Sequence, residues 1–194
     1  MTRESFFDEL RTALAARAPG PPERHVGSPL RPAAVLIPLF RSQAEIRVLL
    51  TQRSSELHHH AGQISFPGGS AEAKDADRTA TALREASEEV GLRSEDCEVL
   101  GTLDPLPVIS GFEITPVVAQ VPSAYVFTPL SSEVARLIEL PLKAFLAPAA
   151  LEIVERERLG EHLRILFYRV SGEEIWGATA RVIEQLLTVA GPLL

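Results

Sequence analysis

Residues Phe66 to Leu92 read FPGGSAEAKDADRTATALREASEEVGL, and the fold turns on this stretch. Its second half predicts one helix, from Asp75 or Asp77 to Val90. An Asp stands near the start, Ala and Leu fill the middle, and Gly91 follows at the C-cap position. At about 100° per residue two faces separate. Ala76, Ala80, Leu83, Ser87 and Val90 form a small-residue face suited to close packing, and Glu85, Glu88 and Glu89 gather on the opposite side.

Carboxylates at i, i+3 and i+4 repel one another and weaken an isolated helix, so stability gives no reason to collect them. A hard divalent cation such as Mg²⁺ or Mn²⁺ supplies one, because it takes oxygen ligands and neutralises the cluster. The bland alternative is a solvated acidic face in which Arg84 and Glu88 make an ordinary i,i+4 pair. Pro67-Gly68-Gly69 just before the helix weighs against it, since glycine lets backbone approach another group closely or adopt positive φ. A carboxylate helix facing a glycine turn makes a pocket for metal and phosphate.

The ordered string Gly69…Arg84-Glu85-x-x-Glu88-Glu89-x-Gly91-Leu92 closely resembles the Nudix box, the signature of enzymes that cleave nucleoside diphosphates linked to another moiety. The loop is one residue longer than usual, and Asp75 replaces the Glu normally found six after the Gly. A second, narrower resemblance covers LLTQRS at Leu49–Ser54, then Gly62 and Phe66-Pro67-Gly68-Gly69. It marks the coenzyme A pyrophosphatase branch of the superfamily. His58 stands where that branch usually carries Arg; LDPLPVISGFEITPVV and IWGATA also fit.

The resemblance implies an α/β Nudix fold, a mixed sheet sandwiched between helices, as one hydrolase domain over residues 1–194. The N-terminal helix and the Pro-rich segment 1–32 are expected to pack on it. It implies Mg²⁺ or Mn²⁺ held by Glu85 and Glu89, with Glu88 as ligand or water-orienting base and the Gly69 carbonyl as a further ligand. Glu133 falls where such enzymes often hold another carboxylate, or is simply a helix-start glutamate favoured by the macrodipole. Arg84 is expected to orient the carboxylates through ion pairs. Gly68, Gly69, Arg53 and His58 are the expected substrate contacts, with Arg53 alternatively a structural ion-pair partner. The implied substrate is coenzyme A. Alternatives are ADP-ribose, dinucleotides or nucleoside triphosphates, or, in another class, a catalytically silent binding module, against which the complete glutamate set argues.

Composition bounds the rest. The chain has 194 residues, 45% hydrophobic and 23% charged, which suits one well-buried domain. A net charge of −7 and a pI near 5.3 argue against broad nucleic-acid binding and are compatible with a small phosphate-bearing substrate where metal ions and local cations offset the field. No apolar run reaches the length of a membrane span, and MTRESFFDELRTAL lacks a signal-peptide core. The single Cys97 excludes an internal disulfide, fits a reducing cytoplasm and reads as structural. Nothing in the pattern specifies an oligomeric state.

Further elements follow from periodicity and turn residues. Residues 4–17 read as an amphipathic helix, and Pro-rich residues 18–32 as an irregular segment. Ala33–Phe40, Ile46–Thr51, Glu98–Leu103 and Ile114–Val121 read as strands. Glu133-Val134 opens a helix or turn leading to Leu140. Leu151–Arg158 and His162–Val170 flank a hairpin signal. The last helix runs through Val189, with Val182, Ile183, Leu186 and Leu187 as its stripe. Trp176 is expected to enter the core at that helix's start, a stacked base being the alternative. Three adjacent histidines, His58–His60, suit a polar loop near an anion better than zinc, because neighbouring rings diverge.

Overall fold

The computed structural model describes residues 5–18, 20, 29–55, 62–130, 132–158 and 161–194. Thus the His58–His60 run and most of the Pro-rich segment lie outside the described residues.

Strand β1 (Arg31–Ser42) is the axis of the molecule. It pairs with β2 (Glu45–Arg53) through a turn in which Gln43 takes φ 56°. Along its other edge it runs parallel to β7 (Phe112–Gln120), from Arg31↔Phe112 to Leu39↔Gln120. With β3 (Ile64–Ser65), β4 (Gly68–Ser70), β5 (Glu98–Thr102), β6 (Leu106–Val108) and β8 (Val134–Pro141) they form one eight-stranded mixed sheet. A second, antiparallel sheet holds β9 (Leu151–Arg158), β10 (Glu161–Val170) and β11 (Glu173–Trp176). The mixed α/β class expected from the sequence is what is found.

β1 is buried on both faces, which is why it reads as an unbroken apolar run. Ala34 and Leu36 face a core shared with Leu49, Ala82, Ala86, Val90 and Val117. Ile37 and Leu39 face the other way, towards α1 (Ser5–Ala16), α3 (Gly177–Ala190) and the small sheet. Pro38 cannot donate to a ladder. It falls between the β4 pairing, which ends at Val35, and the β2 pairing, which begins at Leu39.

Helix α2 (Arg78–Val90) covers the first core. Asp77 is its N-cap, accepting from Ala80 N–H at 2.8 Å, and Gly91 closes it at φ 68°. Of the two Asp starts read from the sequence, the second is correct. The packing face differs from expectation: Thr81, Ala82, Ala86, Glu89 and Val90 are buried, whereas Ala80, Leu83 and Ser87 are only partly covered. Alanine at 82 and 86 allows the helix to lie close on β1, so the narrowest part of the wheel, not its most apolar arc, meets the sheet.

Two further expectations are corrected. Residues 134–141 form strand β8 rather than a helix or turn, paired along β2 from Arg47↔Pro141 to Arg53↔Val134. The β-branched and Leu residues that bury against the sheet outweigh the local helix tendency. Trp176 is 45% exposed and does not enter the core. No helix among the described residues is long and apolar enough to cross a membrane.

Because the Asp77 carboxylate satisfies an orphan N–H, Asp77→Ala should lower stability by about 1 kcal/mol, while Asp77→Asn stays close to the parent. Chemical denaturation of the two variants checks this.

Candidate active site

The glycine turn is fixed by backbone contact. Pro67 C=O accepts from Leu36 N–H at 2.8 Å, and β4 pairs Gly68 with Val35 and Gly69 with Ala34. A Cβ on Gly68 would stand 2.4 Å from the Ala34 carbonyl oxygen, and one on Gly69 2.5 Å from Glu85 Oε1. Close approach of backbone is therefore the reason for Gly68, while at Gly69 a Cβ would displace the carboxylate end of Glu85; neither has positive φ. The turn is pressed between the central strand and the acidic helix.

Arg84 organises the carboxylates. Nε and Nη2 grip Asp75 at 3.0 and 3.1 Å, and Nη2 also reaches the Ser70 carbonyl at 3.0 Å. Nη1 donates to Glu85 at 3.0 Å and Glu88 at 3.1 Å. All five donors of the guanidinium thus have acceptors, a pattern that lysine's point charge cannot reproduce. The pair with Glu88 is the i,i+4 contact of the bland reading, but it is one strand of a wider clamp. Asp75 also accepts from Thr81 Oγ1 and Glu72 N–H, each at 2.9 Å. The paired guanidinium, with those donors, holds its carboxyl well below the usual carboxylate range.

The three glutamates part company, contrary to the single acidic face expected. Glu88 is 55% exposed at its side chain, Glu85 is half-buried against Gly69, and Glu89 is 8% exposed on the packing side. Among the described residues, the hydrogen bond to Glu89 comes from Gly68 N–H at 3.3 Å. Burial pushes its carboxyl up to about 7; the Gly68 N–H and Arg53 oppose that rise, and Glu85 and Glu133 add to it. Burial also raises Glu85, against the pull of Arg84.

Arg53, at the end of β2, donates from Nη2 to Glu133 at 2.9 Å and also borders a cleft beside the glycine turn. Its Nε is buried without a hydrogen-bond partner among the described residues. Glu133 sits just before β8 and is half-exposed, so the macrodipole has no part in its placement. The sequence thus brings Arg84, Glu85, Glu88, Glu89, Gly68 and Gly69 together, with Arg53 and Glu133 as a neighbouring pair. Asp75, Thr81 and Glu72 were not among the expected site residues. The signal for Asp75 was its position six after Gly69.

The donor chemistry fits a hard cation: buried carboxylate oxygen beside a glycine turn. Among the described residues, no three acidic, histidine or cysteine side chains already converge on one point. Arg84 draws Glu85 and Glu88, and Arg53 draws Glu133, so a cation would compete with two guanidinium groups for its ligands.

A cleft of about 760 Å³ opens beside the turn. Gly68, Gly69 and Arg53 border it, and so do the apolar Ile64, Phe66 and Ile114 and the exposed Trp176. Cys97 is no competitor for catalysis, since burial, then Asp96 and Glu95, push its thiol up to about 11.

The raised Glu89 carboxyl has a consequence for metal-free stability. Between the ordinary 4.5 and about 7 the folded state keeps a proton that the unfolded chain releases. Stability should therefore fall as pH rises through that window, by up to about 1.4 kcal/mol per pH unit, and level off above it. Glu89→Gln should flatten the slope. Denaturation in chelator at pH 5 to 8 checks both, and a parent protein that gains stability across the window would refute the assignment.

A model of the NUDIX domain matches residues 29–159. A relative in Photorhabdus laumondii, called an uncharacterized Nudix hydrolase NudL, is 40% identical over 86% of this chain and 88% of its own length. One of the same name in Pectobacterium atrosepticum is 42% identical over 80% of this chain and 81% of its own. Among solved structures, a NUDIX hydrolase from Alicyclobacillus acidocaldarius matches at TM-score 0.53 and 18% identity, covering 84% of this chain and 93% of that one. At that identity the likeness speaks for the fold. The domain match, which carries the glycine turn and the Arg84–Glu89 helix, and the identity to the two relatives together show that this chain belongs to the Nudix hydrolase family.

Proposed function

We propose that this Nudix hydrolase, whose family acts on pyrophosphate bonds, is a cytoplasmic coenzyme A pyrophosphatase. It would release 4′-phosphopantetheine and adenosine 3′,5′-bisphosphate. The observation that carries the reading is the cleft: it joins the glycine turn to an apolar wall, as a substrate that is half diphosphate and half pantetheine requires. The LLTQRS…FPGG pattern supports it, because Arg53 and Gly68-Gly69 border that same cleft. Cleavage of ADP-ribose, dinucleotides or nucleoside triphosphates is the second reading, since the turn and the helix serve any such diphosphate.

Nudix hydrolases generally use divalent metals, and here Glu85, Glu89 and the Gly69 carbonyl would hold Mg²⁺ or Mn²⁺, with Glu88 and Glu133 at the rim. The cation supplies charge neutralisation at the phosphoryl oxygens when bound. Glu88, the most exposed of the three glutamates, would receive the proton of the attacking water or orient it, held in place by Arg84. Arg84 itself has every donor occupied within the protein and acts by positioning. Arg53, which borders the cleft, would donate to a phosphate oxygen; His58, the other expected substrate contact, lies outside the described residues. Asp75 acts through Arg84.

Mass spectrometry of products from a panel of diphosphates with Mg²⁺ or Mn²⁺ tests the substrate. Coenzyme A should be cut faster than ADP-ribose or dinucleotides, and the reverse order would overturn the proposal. Glu85→Gln and Glu89→Gln should each lose orders of magnitude in turnover while staying folded. A folded variant with near-parent rates would remove that residue from the ligand set. Arg53→Ala should cost on the order of 1.5–3 kcal/mol of transition-state binding with coenzyme A. The loss should shrink with dephospho-coenzyme A if Arg53 meets the 3′-phosphate; equal losses would place its contact elsewhere.

A further inference from the structure

Trp176 is the only tryptophan of the chain, and it stands where neither packing nor capping calls for one. It ends β11 and occupies the N-cap position of α3 with no side-chain capping bond. Ser, Thr, Asp or Asn would satisfy an orphan N–H there. Gly177, next in the chain, takes φ 68°, a left-handed conformation that fixes the angle at which strand gives way to helix. The indole is 45% exposed, yet it is not loose: it stacks on Phe167 across the β10–β11 pair, 20° from parallel with centroids 6.2 Å apart. Its exposed surface borders the cleft. So does Ile109, 95% exposed in the turn between β6 and β7. A flat apolar surface left open beside a phosphate-type site, at the expense of a helix cap, is a departure from folding rules of the kind that marks a binding contact.

We propose that Trp176, backed by Phe167, is the platform on which the nucleobase of the substrate stacks, with Ile109 as a further apolar contact. The inference rests on reading the substrate as an adenosine diphosphate derivative, but not on its being coenzyme A. A planar ring pinned parallel to a second ring suits a planar partner. The pantetheine arm needs no such plane, and Phe66, Phe112, Ile114 and Ile165 already give it an apolar wall. Arg156 and Arg181 border the same cleft and place positive charge where a nucleotide phosphate can meet it.

The tryptophan count makes the test direct, because all indole fluorescence comes from this ring. With Mg²⁺ present, adenosine 3′,5′-bisphosphate and AMP should quench it saturably, while 4′-phosphopantetheine should not. Quenching by 4′-phosphopantetheine without quenching by the adenosine nucleotides would overturn the proposal. Calorimetry then compares variants. Trp176→Ala should bind AMP about tenfold more weakly or worse, and Trp176→Phe should recover most of the loss. Trp176→Leu should not; equal recovery by Leu would mean simple apolar cover and would refute stacking. Coenzyme A turnover separates the two readings. Nucleotide quenching in a protein that prefers ADP-ribose keeps the platform and removes the coenzyme A proposal. Coenzyme A cleavage with the signal following phosphopantetheine does the opposite.

Discussion

The Arg84 guanidinium is the group on which the acidic helix, the glycine turn and the loop between them depend. Asp75 and the Ser70 carbonyl come from the loop and turn, and Glu85 and Glu88 come from the helix; one planar ion bonds them all. Without that charge, half-buried Glu85 would face Glu88 and Glu89 with little to offset their repulsion. The extra residue in the loop is absorbed here, because Asp75 still arrives at the guanidinium fork. A carboxylate in that place is a structural requirement even though it lies off the helix.

The second constraint is the cost of Glu89. A carboxyl on the packing face of a helix, against Gly68, gives up hydration for one backbone donor. No gain in packing explains it, since an alanine there would continue the surface begun by Ala82 and Ala86. Its neighbours Arg53 and Glu133 make the local field a mixture of signs. That field leaves the buried acid close to the point of releasing its proton at neutral pH. Stability is exchanged for a buried carboxylate oxygen kept beside the glycine turn.

Much of this was legible in the chain. The C-terminal end of α2 was, because Gly91 acts through local backbone geometry, and the start was narrowed to Asp75 or Asp77. The close glycines were, because a fixed order of Gly, Arg and Glu has few other uses. What could not be read was which arc of α2 meets the sheet. That depends on how near β1 can come, and Ala82 and Ala86 decide it only once the strand is in place. The same holds for Val134–Pro141, whose strand identity is conferred by pairing with β2 some eighty residues earlier. Trp176 was misplaced because hydrophobic bulk predicts burial in general, whereas this ring stands 45% exposed at the junction of β11 and α3.

The parallel pair β1–β7 has a bearing on how the molecule assembles. The turn, the long loop and α2 all lie within the stretch of chain that this pairing closes, since Leu39 meets Gln120. Such a closure is non-local and is reached slowly compared with helix formation. Helix α2 can form early with its caps, but the Gly68–Val35 contact and the burial of Glu89 have no meaning until β1 is seated in the sheet. The glycine turn and the burial of Glu89 are therefore completed only with the sheet, so a half-folded chain carries the acidic helix without the turn seated against it.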